Sequence, residues 1–132
     1  MNKKILITAS ILGLLSIMFG AFGAHGLKAL ISGESLQSFE TGVRYQMYHA
    51  LLLLFVGIAP FISLKNKKII FYLILVGVLF FSGSIYGLAT NGLTGFDFKT
   101  IAFITPIGGL LLIIAWFVLL ISIVKDKNFN KA

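Results

Sequence analysis

Four stretches of this chain run for twenty residues or more without one formal charge: 5–24, 45–64, 69–89 and 100–124. About 20 mostly apolar residues carry an α-helix through ~30 Å of hydrocarbon, at ~1.5 Å of rise per residue. Four such runs in 132 residues leave too little polar surface to cover a water-facing globule. The chain is 58% hydrophobic and 11% charged, against about 45–50% and about 25% in a soluble domain. Disorder, coiled coil and collagen-like repeats are excluded by the same pattern. The absence of cysteine excludes a disulfide framework, a thiolate metal site, a cysteine nucleophile and a lipoprotein anchor. The expectation is an all-α membrane protein, residues 1–132 forming a single integral membrane domain.

The net charge of +7 is placed asymmetrically. Lys3 and Lys4 precede the first run, Lys65, Lys67 and Lys68 separate the second from the third, and Lys125, Lys127 and Lys131 follow the fourth. The other side holds Lys28, Arg44 and Lys99, offset by Glu34, Glu40 and Asp97. By the positive-inside rule both termini and a tight Lys65–Lys68 hairpin are cytoplasmic. The basic balance is thus a topology signal, and no nucleic-acid partner is expected. The first run exceeds the ~7–15 residues of a signal-peptide core, so it is expected to be retained. In the first outer segment, Ser35 is expected to cap an amphipathic helix over 35–44. Leu36, Phe39 and Val43 share one of its faces, and Glu40 and Arg44 stand in the favourable i,i+4 order. Alternatively this segment extends the second span outward.

Short connections favour an up-down-up-down four-helix bundle. Helices in lipid approach closely where small residues line up. The first span offers Ala9, Gly13, Ser16, Gly20 and Gly23; the third Gly77, Ser84 and the pair Gly83 and Gly87; the fourth Ala102, Pro106 and Gly109, with Gly108 beside them. Pro60, near the inner end of span two, and Pro106, about two turns into span four, are expected to kink their helices.

Polar residues gather toward the outer side: His25, Glu40, Arg44, Tyr45, Gln46, Tyr48, His49, Ser82, Ser84, Tyr86, Asn91, Asp97 and Thr105. His49 is the sharpest of them, an ionisable group expected about one turn below the outer boundary. Its functional readings are proton relay, metal ligand or headgroup contact; its structural reading is a neutral imidazole bonded to a neighbouring helix. Arg44 suits a lipid phosphate. His25, His49, Glu40 and Asp97 show no metal-ligand spacing. Ser84, His49 and Asp97 lack any nucleophile elbow. No metal, cofactor or catalytic residue is therefore expected. Tyr72 and Trp116 fall in the inner half as anchors or packing.

Four motifs occur in order: Gly20-Ala21-Phe22-Gly23-Ala24-His25-Gly26-Leu27, Tyr45-Gln46-Met47-Tyr48-His49-Ala50-Leu51, Phe81-Ser82-Gly83-Ser84-Ile85-Tyr86 and Ile104-Thr105-Pro106-Ile107-Gly108-Gly109. Together they resemble the DUF423 family, the UPF0382 membrane proteins, which is related to the small mitochondrial transmembrane protein 256. The resemblance spans all four apolar runs. It implies a small multi-pass protein of the bacterial plasma membrane and carries over no catalytic residue.

The resulting expectation is a non-enzymatic membrane protein with an outer-leaflet polar pocket for a lipid headgroup or small amphiphile. Its residues would be His49, Arg44, Tyr48, Gln46, His25, Tyr86, Ser84 and Thr105. Gly13, Ser16, Gly20, Gly23, Gly83, Gly87 and Gly109 would pack the helices. The alternative is an oligomeric small-solute transporter or channel subunit, which a homo-oligomer would suit.

Overall fold

The computed structural model describes residues 1–127. Four long helices carry the fold: α1 (Asn2–Ala24), α2 (Gly33–Ile58), α3 (Leu64–Ala89) and α4 (Ile104–Lys125). Short 3₁₀ turns lie at Leu27–Ala29, Asn91–Leu93 and Phe98–Ile101. Helices α1, α3 and α4 are long and apolar enough to cross a membrane. Helix α2 has the length, but its first two-thirds carries Glu34, Glu40, Arg44, Gln46 and His49.

Consecutive helices pack on one another, α1 on α2, α2 on α3 and α3 on α4. They run antiparallel. Lys67, early in α3, donates to Asn2 Oδ1 at the start of α1 (3.1 Å) and to the Gly57 carbonyl at the end of α2 (3.3 Å). Its neighbour Asn66 donates to Ser122 Oγ near the end of α4, at 2.9 Å. This is the terminus-bearing end of the bundle; the 25–32 and 90–103 connections form the opposite, loop end. Lys131 lies outside the described residues.

The core is made where the apolar helices face inward: Ile5, Ala9 and Leu12 of α1, Leu53 and Val56 of α2, Ile70, Phe71 and Ile74 of α3, and Leu112, Ala115 and Leu119 of α4. A smaller cluster of Leu27, Phe39 and Ala89 closes the loop end. The outward faces are apolar too. Ile7, Leu14 and Ile17 on α1, Leu51 and Phe55 on α2, Leu79 on α3 and Ile113 and Phe117 on α4 are all exposed. Helices hydrophobic on every side belong in hydrocarbon or in a larger core.

The helix ends differ from the sequence expectations for local reasons. Ser32, not Ser35, caps α2, accepting from the Ser35 N–H at 3.1 Å. From there α2 runs unbroken to Ile58, so residues 35–44 extend that helix rather than forming a separate one. Pro60 ends α2 instead of kinking it: proline disfavours helical backbone in the residue before it, and Ala59 is extended (φ −74°, ψ 112°). The hairpin turn is therefore 59–63, and Lys65–Lys68 belong to the first turns of α3. That helix is capped by Ser63 accepting from Asn66 N–H at 3.2 Å. Pro106 falls in the first turn of α4, where its missing N–H costs nothing.

The glycines also redistribute. On α1, Gly13, Gly20 and Gly23 face Ala50, Val43 and Phe39 of α2, and Ser16 is buried with its hydroxyl on the Leu12 carbonyl. The closest backbone approach is at Gly108, where a Cβ would lie 2.4 Å from Phe81 N of α3. Gly109 meets only the Phe81 ring at ordinary distance, and a Cβ at Gly83 would meet nothing within 4 Å. Gly83 thus packs against no other helix of the same chain. Gly87 lies under the Phe98 ring, at 2.6 Å from its would-be Cβ. On α2, Gly57 accommodates Leu6 and Gly42 accommodates the Tyr86 ring.

Candidate functional site

The buried face of α2 is a 3–4 repeat: Phe39, Gly42, Gln46, His49 and Leu53. Because this stripe carries polar side chains into the bundle, each has to find a partner there. Gln46 finds two. Its Nε2 donates to the Leu12 carbonyl of α1 at 2.8 Å, and its Oε1 accepts from Tyr86 OH of α3 at 2.7 Å. One turn earlier, Ser82 Oγ donates to the Gly42 carbonyl at 2.7 Å. With no side chain on Gly42, Tyr86 lies directly on α2; a Cβ there would be 2.8 Å from Tyr86 Cε1. Three helices are tied at one level by these bonds.

His49 is buried one turn further along. Its Nε2 accepts from Trp116 Nε1 of α4 at 3.1 Å, and its Nδ1 lies 2.7 Å from the Tyr45 carbonyl. An indole N–H only donates, so Nε2 is the unprotonated nitrogen and Nδ1–H donates to the carbonyl. Measured from the ends of α2 and α4 at the terminus-bearing end, both residues lie about two and a half turns in, near mid-bundle. Trp116, expected as an anchor or packing residue, is the partner of His49.

The remaining candidates do not join this set. The Ser84 and Thr105 hydroxyls bond each other between α3 and α4. Arg44 is exposed and donates to Thr41 Oγ1 at 3.0 Å rather than pairing with Glu40. Tyr48 is exposed against Tyr45, ring centroids 5.6 Å apart. His25 is exposed at the end of α1. The sequence-derived set is thus divided among the α1–α2–α3 core, the α3–α4 seam and the outer surface. No single polar pocket gathers it. Among the described residues no three His, Cys, Asp or Glu side chains gather at a potential metal site.

An aromatic cavity lies beside the Gln46–Tyr86 bond, at the loop end. It holds about 300 Å³ between Phe19, Phe22, Phe39, Tyr86 and Phe98, with Gly83, Gly87 and Thr90 completing the lining. Phe19 meets Tyr86 edge-to-face and Phe39 meets it tilted, with ring centroids 5.3 and 5.0 Å apart. Phe98 is set over Gly87 by its connection, where its N–H donates to Asn91 Oδ1 at 2.7 Å and Asn91 Nδ2 donates to Asp97 Oδ1 at 3.1 Å. The polar atoms of the wall are occupied: Tyr86 OH by Gln46, and Thr90 Oγ1 by the Tyr86 carbonyl at 2.8 Å. The cavity therefore offers ring faces. Phe19, Phe22, Phe39 and Phe98 escaped the sequence reading because phenylalanine in an apolar helix carries no mark of a site.

Apolar outer faces, three helices of membrane-crossing length and paired polar groups inside define a small helical membrane protein. Residues 19–109 match the family model described as Protein of unknown function (DUF423). A UPF0382 membrane protein of Staphylococcus aureus (strain bovine RF122 / ET3-1) is 39% identical over 93% of this chain and 97% of its own length. The UPF0382 membrane protein YwdK of Bacillus subtilis is 38% identical over 93% and 98%, and that of Haemophilus influenzae 34% over 97% and 99%. No solved structure matches. The chain belongs to the DUF423 family of UPF0382 membrane proteins.

Proposed function

We propose that this protein is a four-span protein of the bacterial plasma membrane that binds the apolar part of a lipid or small amphiphile in the aromatic cavity at its loop end. In this reading both termini are cytoplasmic. Support for the orientation comes from Lys3, Lys4, Lys65, Lys68, Lys125 and Lys127, all exposed at the terminus-bearing end. Support for α2 as the fourth span comes from its apolar stretch 50–58 and its exposed Leu51, Leu54, Phe55 and Ile58.

The observation that carries the binding reading is Gly83. It lines the cavity, yet a Cβ there would touch nothing within 4 Å, so the missing side chain leaves open space rather than a helix contact. The outer polar residues then serve as frame: Gln46 and Tyr86 hold the aromatic wall, while Arg44, Tyr48 and His25 lie at the headgroup level. Binding is favoured over catalysis because the interior hydroxyl, amide and imidazole groups are committed to bonds within the bundle, several of them to backbone carbonyls.

Native mass spectrometry of the chain released in lipid-preserving detergent tests this. Wild type and Gly83→Ala should retain a bound amphiphile, and Gly83→Phe, which fills the cavity, should lose it. Retention by the Phe variant overturns the proposal. The transporter alternative instead requires solute flux in liposomes holding only this protein.

A further inference from the structure

A second concavity lies on the outside of the α3–α4 pair toward the terminus-bearing end. It holds about 450 Å³ and is walled by Ile69, Leu73, Val76 and Leu111, with Lys68 and Tyr72 completing it. Its polarity runs in one direction. Lys68 and Tyr72 are one turn apart on α3, and beyond them toward mid-bundle the wall is aliphatic. A second ammonium reaches the rim at Tyr72 from α1, outside the lining itself: Lys4 Nζ donates to Tyr72 OH at 3.3 Å and lies 5.6 Å from the Tyr72 ring centroid and 5.7 Å from that of Phe71. Lysine only donates, so the Tyr72 hydroxyl hydrogen stays free to donate onward. Glu34, Glu40 and Asp97 all lie toward the other end, leaving Asp126 as the acidic residue here among those described.

We propose that this groove is a site for an anionic phospholipid, its phosphate between Lys68, Lys4 and Tyr72 OH and one acyl chain along Ile69, Leu73, Val76 and Leu111. Charge complementarity chooses the occupant. Two ammonium groups and a hydroxyl donor at one end of an aliphatic trough match a negatively charged headgroup with its chain. A soluble anion would make no use of the trough, and an apolar helix would make no use of the ammonium groups. Basic pockets between spanning helices at the cytoplasmic face are the general form of acidic-lipid sites. The inference rests on the membrane-embedded reading but not on the aromatic cavity at the other end.

The full-length protein, delipidated in detergent, is titrated with phosphatidylglycerol, with phosphatidylcholine of the same chains, and with inorganic phosphate, and bound species are counted by native mass spectrometry. One phosphatidylglycerol should bind in preference to phosphatidylcholine. Lys68→Gln and Lys4→Gln should each weaken it about fivefold, and Lys68→Arg should not. Val76→Trp should block it with both lysines intact, and raised salt should weaken it. Gly83→Phe should leave it unchanged, which separates this site from the aromatic cavity. Equal binding of the two lipids, or indifference to both lysine changes, overturns the proposal. So does displacement of the lipid by inorganic phosphate.

Discussion

Trp116 donates its indole N–H to His49 Nε2 at 3.1 Å, joining α4 to α2 near the middle of the bundle. Close backbone packing elsewhere joins helices adjacent in the chain, so this bond ties elements that otherwise touch little. Trp116 is the single tryptophan, and its ring is half exposed. Its fluorescence therefore reports this pair alone. His49→Leu should shift the emission to shorter wavelength and lower stability by about 1 kcal/mol, a typical value for one interhelical bond in a membrane protein. An unchanged spectrum in bilayers would show that the bond does not form there.

Gly108 and Gly83 make opposite predictions for the same substitution. Alanine at Gly108 would press its Cβ to 2.4 Å from Phe81 N and 2.8 Å from Phe80 C, backbone atoms that cannot rotate away. The helices would have to separate, at a cost of about 1–3 kcal/mol. Alanine at Gly83 meets nothing and should be neutral or stabilising by up to about 1 kcal/mol, since glycine is a poor helix former. Thermal unfolding in detergent reads both. Equal effects at the two sites would contradict the α3–α4 packing.

Lys67 is only 3% exposed, while Lys65 and Lys68 in the same turns are open. Acetylation by an amine reagent, followed by peptide mass spectrometry, should modify Lys65 and Lys68 several-fold faster than Lys67. The same reagent in membrane-impermeant form should reach Lys65 and Lys68 only after the membrane is breached, if that end is cytoplasmic. Labelling of Lys67 at the rate of its neighbours would place it outside the Asn2 and Gly57 contacts.

What the sequence discloses is which stretches are apolar; what it withholds is the direction in which each side chain faces. A helix must bury about 20 residues to span a bilayer, so apolar runs are visible without any knowledge of partners. Family membership was legible in the four motifs and agrees with residues 19–109 matching the family model. The facing of side chains was not. Ser84 and Tyr86 are at similar depth, but two positions on a helix are about 200° apart, and they serve different interfaces. Gly108 and Gly109 are neighbours in sequence, and only the first touches the α3 backbone. Lys67 matches Lys65 and Lys68 in charge, and only the proximity of Asn2 and the α2 terminus distinguishes it. The start of α2 was obscured because an outer helix with Glu34, Glu40 and Arg44 reads the same whether it lies on a membrane or rises from it.

The Gln46 amide is the junction of α1, α2 and α3, and its two bonds can be separated experimentally. Tyr86→Phe removes one donor and leaves Gln46 Oε1 unpaired, with an expected loss of about 1 kcal/mol. Gln46→Leu strands Tyr86 OH and removes the bond to the Leu12 carbonyl, which keeps the Ser16 hydroxyl, so about 2 kcal/mol is expected. In the double variant Tyr86 OH no longer exists to be stranded, and its total should fall short of the two single losses combined by about 1 kcal/mol. The Leu12 side of the junction persists in Tyr86→Phe, so α1 should remain docked in that variant and loosen in Gln46→Leu. Hydrogen exchange at α1 amides distinguishes the two. Strict additivity of the losses, with equal exchange in both variants, would mean that Gln46 and Tyr86 act independently.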